Sequence, residues 1–252
     1  MTPDRDDVPR HHHFINGAWV PSSSGALFPN ENPADTRQVV SYHATATLED
    51  AERAIAAASD AFPAWRATPG PVRARLLAKA SRILHDRVDD LARLLTLEEG
   101  KNFTESRGEV LKGLTLLDFY VGEGCRLGGE TFPSEVSQTF VYTVRQPIGV
   151  VAIITPWNFP FAIPVWKMAP ALMAGNTLVF KPAPLTPRLA VAILEAFDEA
   201  GVPPGVVNLL TGGGPEVGEH LVTHPKVKVI SFTGSTAVGR HLNEVAARHL
   251  KK

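Results

Sequence analysis

Apolar residues recur at three- and four-residue steps through Leu48, Ala51, Ile55, Ala58 and Phe62, which predicts a helix over 48–62. Thr47 stands before it as an N-cap, with Asp50 three residues on as the acid of a capping box. After the Pro69–Pro71 break, Leu76, Leu77, Ile83, Leu84, Val88, Leu91 and Leu95 predict a helix over 72–99, closed by Gly100. A third helical stretch runs from about 103 to 122. Phe14–Val20 reads as one short strand ending near Trp19, followed by the loop Pro21–Gly25. Over 131–146 the pattern turns β-like, with Phe140, Tyr142 and Val144 alternating before Pro147.

From Ile148 the rhythm changes. Uniformly apolar strands over 148–154, 177–180, 206–210 and 227–232 alternate with helices over 161–174, 187–200, 215–222 and 236–250. Runs such as Val150–Ile154 are too apolar for a sheet with one wet face, so the sheet is parallel with helices on both sides. The fold class is α/β: a doubly wound, Rossmann-like parallel sheet, preceded by a helical N-terminal segment and a short β-like extension. The expected organisation is a flexible N-terminus over 1–13, a helical part over 14–130, a bridging segment over 131–147 and a dinucleotide-binding unit over 148–252. Ligands in such sheets lie beyond the carboxyl ends of the strands.

Composition narrows the classes. A formal net charge of −1 offers no field for a polyanion, and no apolar run reaches the roughly 18 residues a membrane helix needs. Met1–Arg10 is polar and acidic, unlike a secretory or transit leader. The single cysteine, Cys125, cannot form an internal disulfide, which fits a reducing cytoplasm. His11–His13 reads as native surface sequence rather than a metal patch, and no residue is assigned to a metal.

The four strand ends read Thr155-Pro-Trp-Asn-Phe-Pro, Lys181-Pro-Ala-Pro, Thr211-Gly-Gly-Gly-Pro and Phe232-Thr-Gly-Ser. Gly212, Gly214 and Gly218 lie between a strand and a helix, where backbone amides can approach phosphate, and Ser235 can cap the last helix beside one. Neither glycine-rich loop has the strict G-x-G-x-x-G spacing, and each alone is a weak signal, more often a plain turn than a phosphate site.

The combination carries more. Ile153-Ile-Thr-Pro-Trp-Asn-Phe-Pro160, Ala174-Gly-Asn-Thr-Leu-Val-Phe-Lys-Pro182 and Phe232-Thr-Gly-Ser-Thr-Ala-Val-Gly239 occur in order, with Phe14-Ile-Asn-Gly-Ala-Trp-Val20 and Asn32-Pro-Ala34 ahead of them. Together they resemble the aldehyde dehydrogenase superfamily, from about Phe14 to Lys252. The resemblance implies NAD(P)-dependent oxidation of an aldehyde to a carboxylate, with a homo-oligomer at full length and no nucleic-acid or membrane partner. It implies that Asn158 donates to the oxyanion and that Lys167 takes part in proton relay, the rival reading being a snorkelling lysine. Lys181 would address the adenosine ribose. Ile154, Thr155, Pro156, Trp157, Ala183, Pro184, Gly214, Phe232, Thr233, Gly234, Ser235 and Val238 would shape the cofactor site. Phe159, Ile163 and Trp166 match positions lining the aldehyde tunnel, although Ile163 reads equally well as core.

Three departures matter. Pro184 stands where many relatives carry a glutamate that bonds the ribose hydroxyls, so NADP as well as NAD is expected. The family's Glu-Leu-Gly-Gly-Lys base segment and its nucleophilic cysteine match nothing before Lys252, so the chain is expected to be a truncated cofactor-binding portion, inactive alone. The family's catalytic domain and most of its oligomer contacts are then missing as well. Cys125 matches no catalytic position, and Glu123 beside it would raise a thiol pKa. The alternative is a non-catalytic dinucleotide-binding or interaction module. A different Rossmann enzyme would need its own acid–base pair in the α/β half, yet all three tyrosines precede Ile148.

Overall fold

The computed structural model describes residues 8–252. Its main sheet has six strands in the order β11-β8-β9-β10-β2-β3. β8 (Val150–Ile154), β9 (Thr177–Lys181), β10 (Val207–Leu209) and β11 (Val227–Phe232) run parallel, as the apolar runs predict. β2 (His13–Ile15) and β3 (Ala18–Val20) extend the sheet as an antiparallel hairpin on β10. This corrects the single strand over 14–20. Asn16 and Gly17 have φ of 53° and 77°, the two-residue turn that matches strand twist, and the Asn-Gly pair is its sequence signature.

Successive side chains of the parallel strands enter different cores, as a pleat requires. Val151, Ile153, Leu178 and Phe180 pack into one apolar cluster, while Val150, Ala152 and Val179 pack into the other. The first cluster is covered by α2 (Gly70–Asp86), α3 (Val88–Glu99), α4 (Phe103–Gly122), α5 (Ala162–Met173) and α6 (Pro187–Glu199). The second is covered by α1 (Leu48–Ala67) and α7 (Gly214–Thr223). On α8 (Thr236–Arg248), Leu242 and Val245 pack with Val222 and the β11 residues Ile230 and Phe232, which accounts for that helix's apolar stripe.

Two helical expectations are adjusted. α1 forms with the Thr47–Asp50 capping box but continues through Pro63 to Ala67, because the last turn buries Trp65. The helix expected over 72–99 is two helices, α2 and α3, broken at Arg87 with φ −108° and ψ 11°; the apolar stripe continues across the break and hides it. Gly100 ends α3 in the left-handed conformation.

The N-terminal region holds strands that periodicity did not reveal. β1 (Arg10–His11), β5 (Asp35–Ala44) and β4 (Leu27–Asn32) form a second sheet in that order. Pro29 and a polar, largely exposed face hide β4 from a hydrophobic reading. Residues 1–7 lie outside the described residues, but β1 and β2 already occupy part of the segment expected to be a flexible N-terminus. His13 is fully buried and His11 and His12 are half-buried, so the histidine run is not surface sequence. β6 (Thr131–Phe132) and β7 (Val141–Tyr142) form a separate ribbon that leaves Phe140, Tyr142 and Val144 exposed. Among the described residues no helix is long and apolar enough to cross a membrane.

Candidate functional site

The chain leaves β8 toward β9 on one side and returns as β11 on the other, so the strand order reverses between β8 and β11. Two adjoining cavities open at the carboxyl ends there, sharing Ile154 and Val238. The larger, of about 880 Å³, is lined among others by Lys181, Pro184, Gly214 and Leu48. The smaller, of about 530 Å³, is bounded by Thr155, Pro156, Trp157 and Asn158 on one side and by Phe232, Thr233, Gly234 and Ser235 on the other.

Short strands aim these loops. Thr233 donates its amide to the Ile154 carbonyl at 3.0 Å, which ties the two loops at the switch point. Ser235 caps α8 by accepting from the Val238 amide at 3.3 Å. Gly212, Gly213 and Gly214 all have positive φ, which glycine alone adopts freely. A Cβ on Gly213 would strike the Ala46 carbonyl at 2.7 Å, whereas one on Gly214 would meet open space, so the α7 N-terminus lies open to the cavity.

Two polar groups at the strand ends lack protein partners. Lys181 is 8% exposed, burial pulls its ammonium pKa down, and its Nζ makes no hydrogen bond among the described residues. The hydroxyl of Thr155 is buried and likewise unpaired. A buried cation normally finds a partner, so this arrangement fits a polar ligand entering from the cavity.

The remaining expected residues fall elsewhere. Ala183 lines neither cavity, and its carbonyl accepts from Thr186 within the loop. Lys167, half-buried on α5, donates to Ser231 Oγ and to the Phe232 carbonyl, each at 3.2 Å, and burial lowers its pKa. It thus pins α5 to the end of β11 instead of snorkelling. Phe159, Ile163 and Trp166 line neither cavity. Ile163 is 5% exposed, Phe159 lies under the Lys101 ammonium at 4.3 Å, and Trp166 lies 5.8 Å from that of Lys112.

Sequence reasoning missed Leu48, Glu219, His220 and His241, which also line the larger cavity. They come from α1, α7 and α8, and no local spacing links them. His220 Nε2 lies 2.7 Å from Glu52, and His224 Nε2 lies 3.3 Å from the same carboxylate, which places three metal-capable groups together. His224 Nδ1, however, accepts the Lys226 amide at 3.2 Å, so its hydrogen is on Nε2 and faces Glu52. A metal on that Nε2 would need a protonated Nδ1 opposing an N–H donor. The geometry is that of one carboxylate set between two imidazoles, with the His224 N–H facing it.

Comparison with known proteins agrees with this architecture. The model described as "Aldehyde dehydrogenase family" matches residues 19–252. The alpha-ketoglutaric semialdehyde dehydrogenase of Bacillus subtilis is 46% identical over 93% of this chain and 48% of its own length. A crystal structure of an Escherichia coli NADP-dependent enzyme superposes with a TM-score of 0.94 at 40% identity, covering 100% of this chain and 52% of that one. Betaine aldehyde dehydrogenase from Staphylococcus aureus, solved in complex with NAD+, gives a TM-score of 0.93 at 34% identity, covering 96% of this chain and 48% of that one. The chain spans about half the length of the curated relatives it matches.

Proposed function

The chain belongs to the aldehyde dehydrogenase family, and on that premise we propose that it provides the dinucleotide-binding half of an NAD(P)-dependent oxidation of an aldehyde to a carboxylic acid. The observation that carries this reading is Lys181, a buried ammonium with no protein partner at the wall of the larger cavity. A ribose hydroxyl would give it the acceptor it lacks. Gly214 and Ser235, at the N-termini of α7 and α8, supply backbone amides and positive dipole ends suited to the two phosphates.

In the proposed reaction the bound dinucleotide supplies the hydride acceptor. Asn158 stands exposed at the smaller cavity, with no side-chain hydrogen bond among the described residues. Its amide is therefore available to an oxyanion, a contribution typically worth about 3 kcal/mol of barrier. Lys167, which donates to Ser231 Oγ and the Phe232 carbonyl, sets the distance between α5 and β11 in this reading, and its lowered pKa is compatible with the proton-relay role the resemblance implies.

Pro184, at the rim of the larger cavity, offers no carboxylate to compete with a 2′-phosphate, and the reading includes NADP as well as NAD. The exposed Phe140, Tyr142 and Val144 of the β6–β7 ribbon support association of copies through that ribbon. The exposed, unpaired Cys125 suits a reducing compartment such as the cytoplasm.

The test is calorimetric titration of the chain with NAD+ and with NADP+. Saturable binding of both at one site is the expected result. Absence of heat for either dinucleotide at millimolar concentration would overturn the reading.

A further inference from the structure

The turn that carries Asn158 is held in part from outside, by two residues of the α3–α4 region. α5 begins behind Phe161, whose side chain has no oxygen to offer the first-turn amides. The Ile163 amide donates to the Phe159 carbonyl at 3.1 Å, and the two amides before it reach Glu109. Phe161 N–H and Ala162 N–H donate to Glu109 Oε1 at 3.0 and 3.2 Å, across more than 50 residues of chain. Glu109 lies inside α4 with its side chain 1% exposed, and its other oxygen accepts from Lys101 Nζ at 2.7 Å. The same ammonium donates to the Asn158 carbonyl at 3.0 Å and lies over the Phe159 ring.

Close helix contact makes this reach possible. Gly113 follows Glu109 by one turn of α4. A Cβ there would meet the Phe161 ring at 2.8 Å and the Ala162 Cα at 3.2 Å. Without that glycine α4 and α5 would stand further apart, and a glutamate side chain would not span the gap.

We propose that Lys101 and Glu109 are positioning residues, which clamp the backbone from Asn158 to Ala162 and thereby hold the Asn158 side chain at the smaller cavity. Glu109 replaces the missing cap of α5. Lys101 couples that cap to the Asn158 peptide, and Phe159 shields the ion pair from water. The catalytic consequence rests on the reading of Asn158 given above; the clamp itself stands on hydrogen bonds alone.

Hydrogen exchange on the whole chain tests the clamp. Lys101→Met removes the donor to Asn158 and leaves the Glu109 carboxylate without its ion pair. Amides between 157 and 163 should then exchange about tenfold faster, with those of β8–β11 unchanged. Lys101→Arg should restore protection, since guanidinium can serve both acceptors. Glu109→Gln, which keeps an oxygen for the two amides, should loosen the turn as Lys101→Met does.

In an aldehyde-oxidising enzyme that contains this chain together with the family's base and nucleophile, Lys101→Met should lower kcat roughly ten- to hundredfold, with the dinucleotide KM kept within about twofold and recovery of kcat in Lys101→Arg. Unchanged exchange at 157–163 in Lys101→Met overturns the clamp, and a loosened turn with unchanged kcat overturns its positioning role. A chain that binds no dinucleotide overturns the proposed function, while the exchange experiment still decides the clamp.

Discussion

Glu98, in the last turn of α3, accepts the backbone amide of Leu189 at 3.0 Å while its other oxygen accepts that of Arg188. α6 has no side-chain cap of its own. A buried glutamate thus caps the helix that follows the Lys181 loop, as Glu109 caps the helix that follows the Asn158 loop. Burial pushes the Glu98 carboxyl up to about 8, against the opposing pull of both amides and Arg188. Glu98→Ala leaves two buried donors without an acceptor and should cost roughly 2–4 kcal/mol. Glu98→Gln, which keeps one oxygen, should cost clearly less. Urea unfolding of the two variants checks this, and equal losses would contradict the capping role.

The buried ammonium of Lys181 should oppose stability while serving binding. Lys181→Met replaces an unpaired, desolvated cation with an apolar side chain of similar length. The thermal midpoint should hold or rise, while dinucleotide affinity falls about tenfold, a loss near 1.4 kcal/mol. A lower midpoint with unchanged affinity would show that Lys181 serves the fold alone.

Cofactor choice should respond to position 184. Pro184 is exposed at the cavity rim, three residues after Lys181. Pro184→Glu should weaken NADP+ by about tenfold or more through repulsion of the 2′-phosphate, and NAD+ far less. Paired titrations at low and high salt measure it. Equal loss of both cofactors would point to a disturbed loop.

Acid should destabilise the fold well above the ordinary carboxylate range. Burial lowers His11 and His13 to about 4 and His43 to about 3, with the charge of Arg188 adding to the effect at His11 and His43. These rings stay neutral when folded and take up protons when unfolded. Stability is therefore retained above about 6.5 and lost as pH falls toward 4, at about 1.4 kcal/mol per pH unit for each fully engaged histidine. Glu98 works the other way, since its raised pKa favours the folded form as pH drops through 8. Three groups against one leave a net loss. Urea midpoints should hold or rise slightly from pH 7.5 to about 6.5, where Glu98 alone takes up a proton, and fall from there to 4.5; a flat profile below 6.5 would refute the account.

Much of this protein is written locally. The capping box at Thr47 and Asp50, the glycine stops at 100 and 175, and the apolar runs of β8 to β11 are short-range signals. They force a parallel sheet covered on both faces and put Asn158, Lys181 and Ser235 at strand ends. The motifs that carry the family resemblance lie on those same loops.

Tertiary structure decided the rest, because the deciding contacts join distant segments. β4 became a strand by pairing with β5, and α1 ran past Pro63 because Trp65 had a core to enter. His11–His13 reads as surface sequence, yet two sheets bury His13 and half-bury His11 and His12. Nothing in the local pattern singles out Glu98 or Glu109; their role comes from the amides that α6 and α5 bring to them. A sequence fixes which residues can donate or accept; which donor meets which acceptor depends on helix packing distances, and here a glycine at 113 sets one of them.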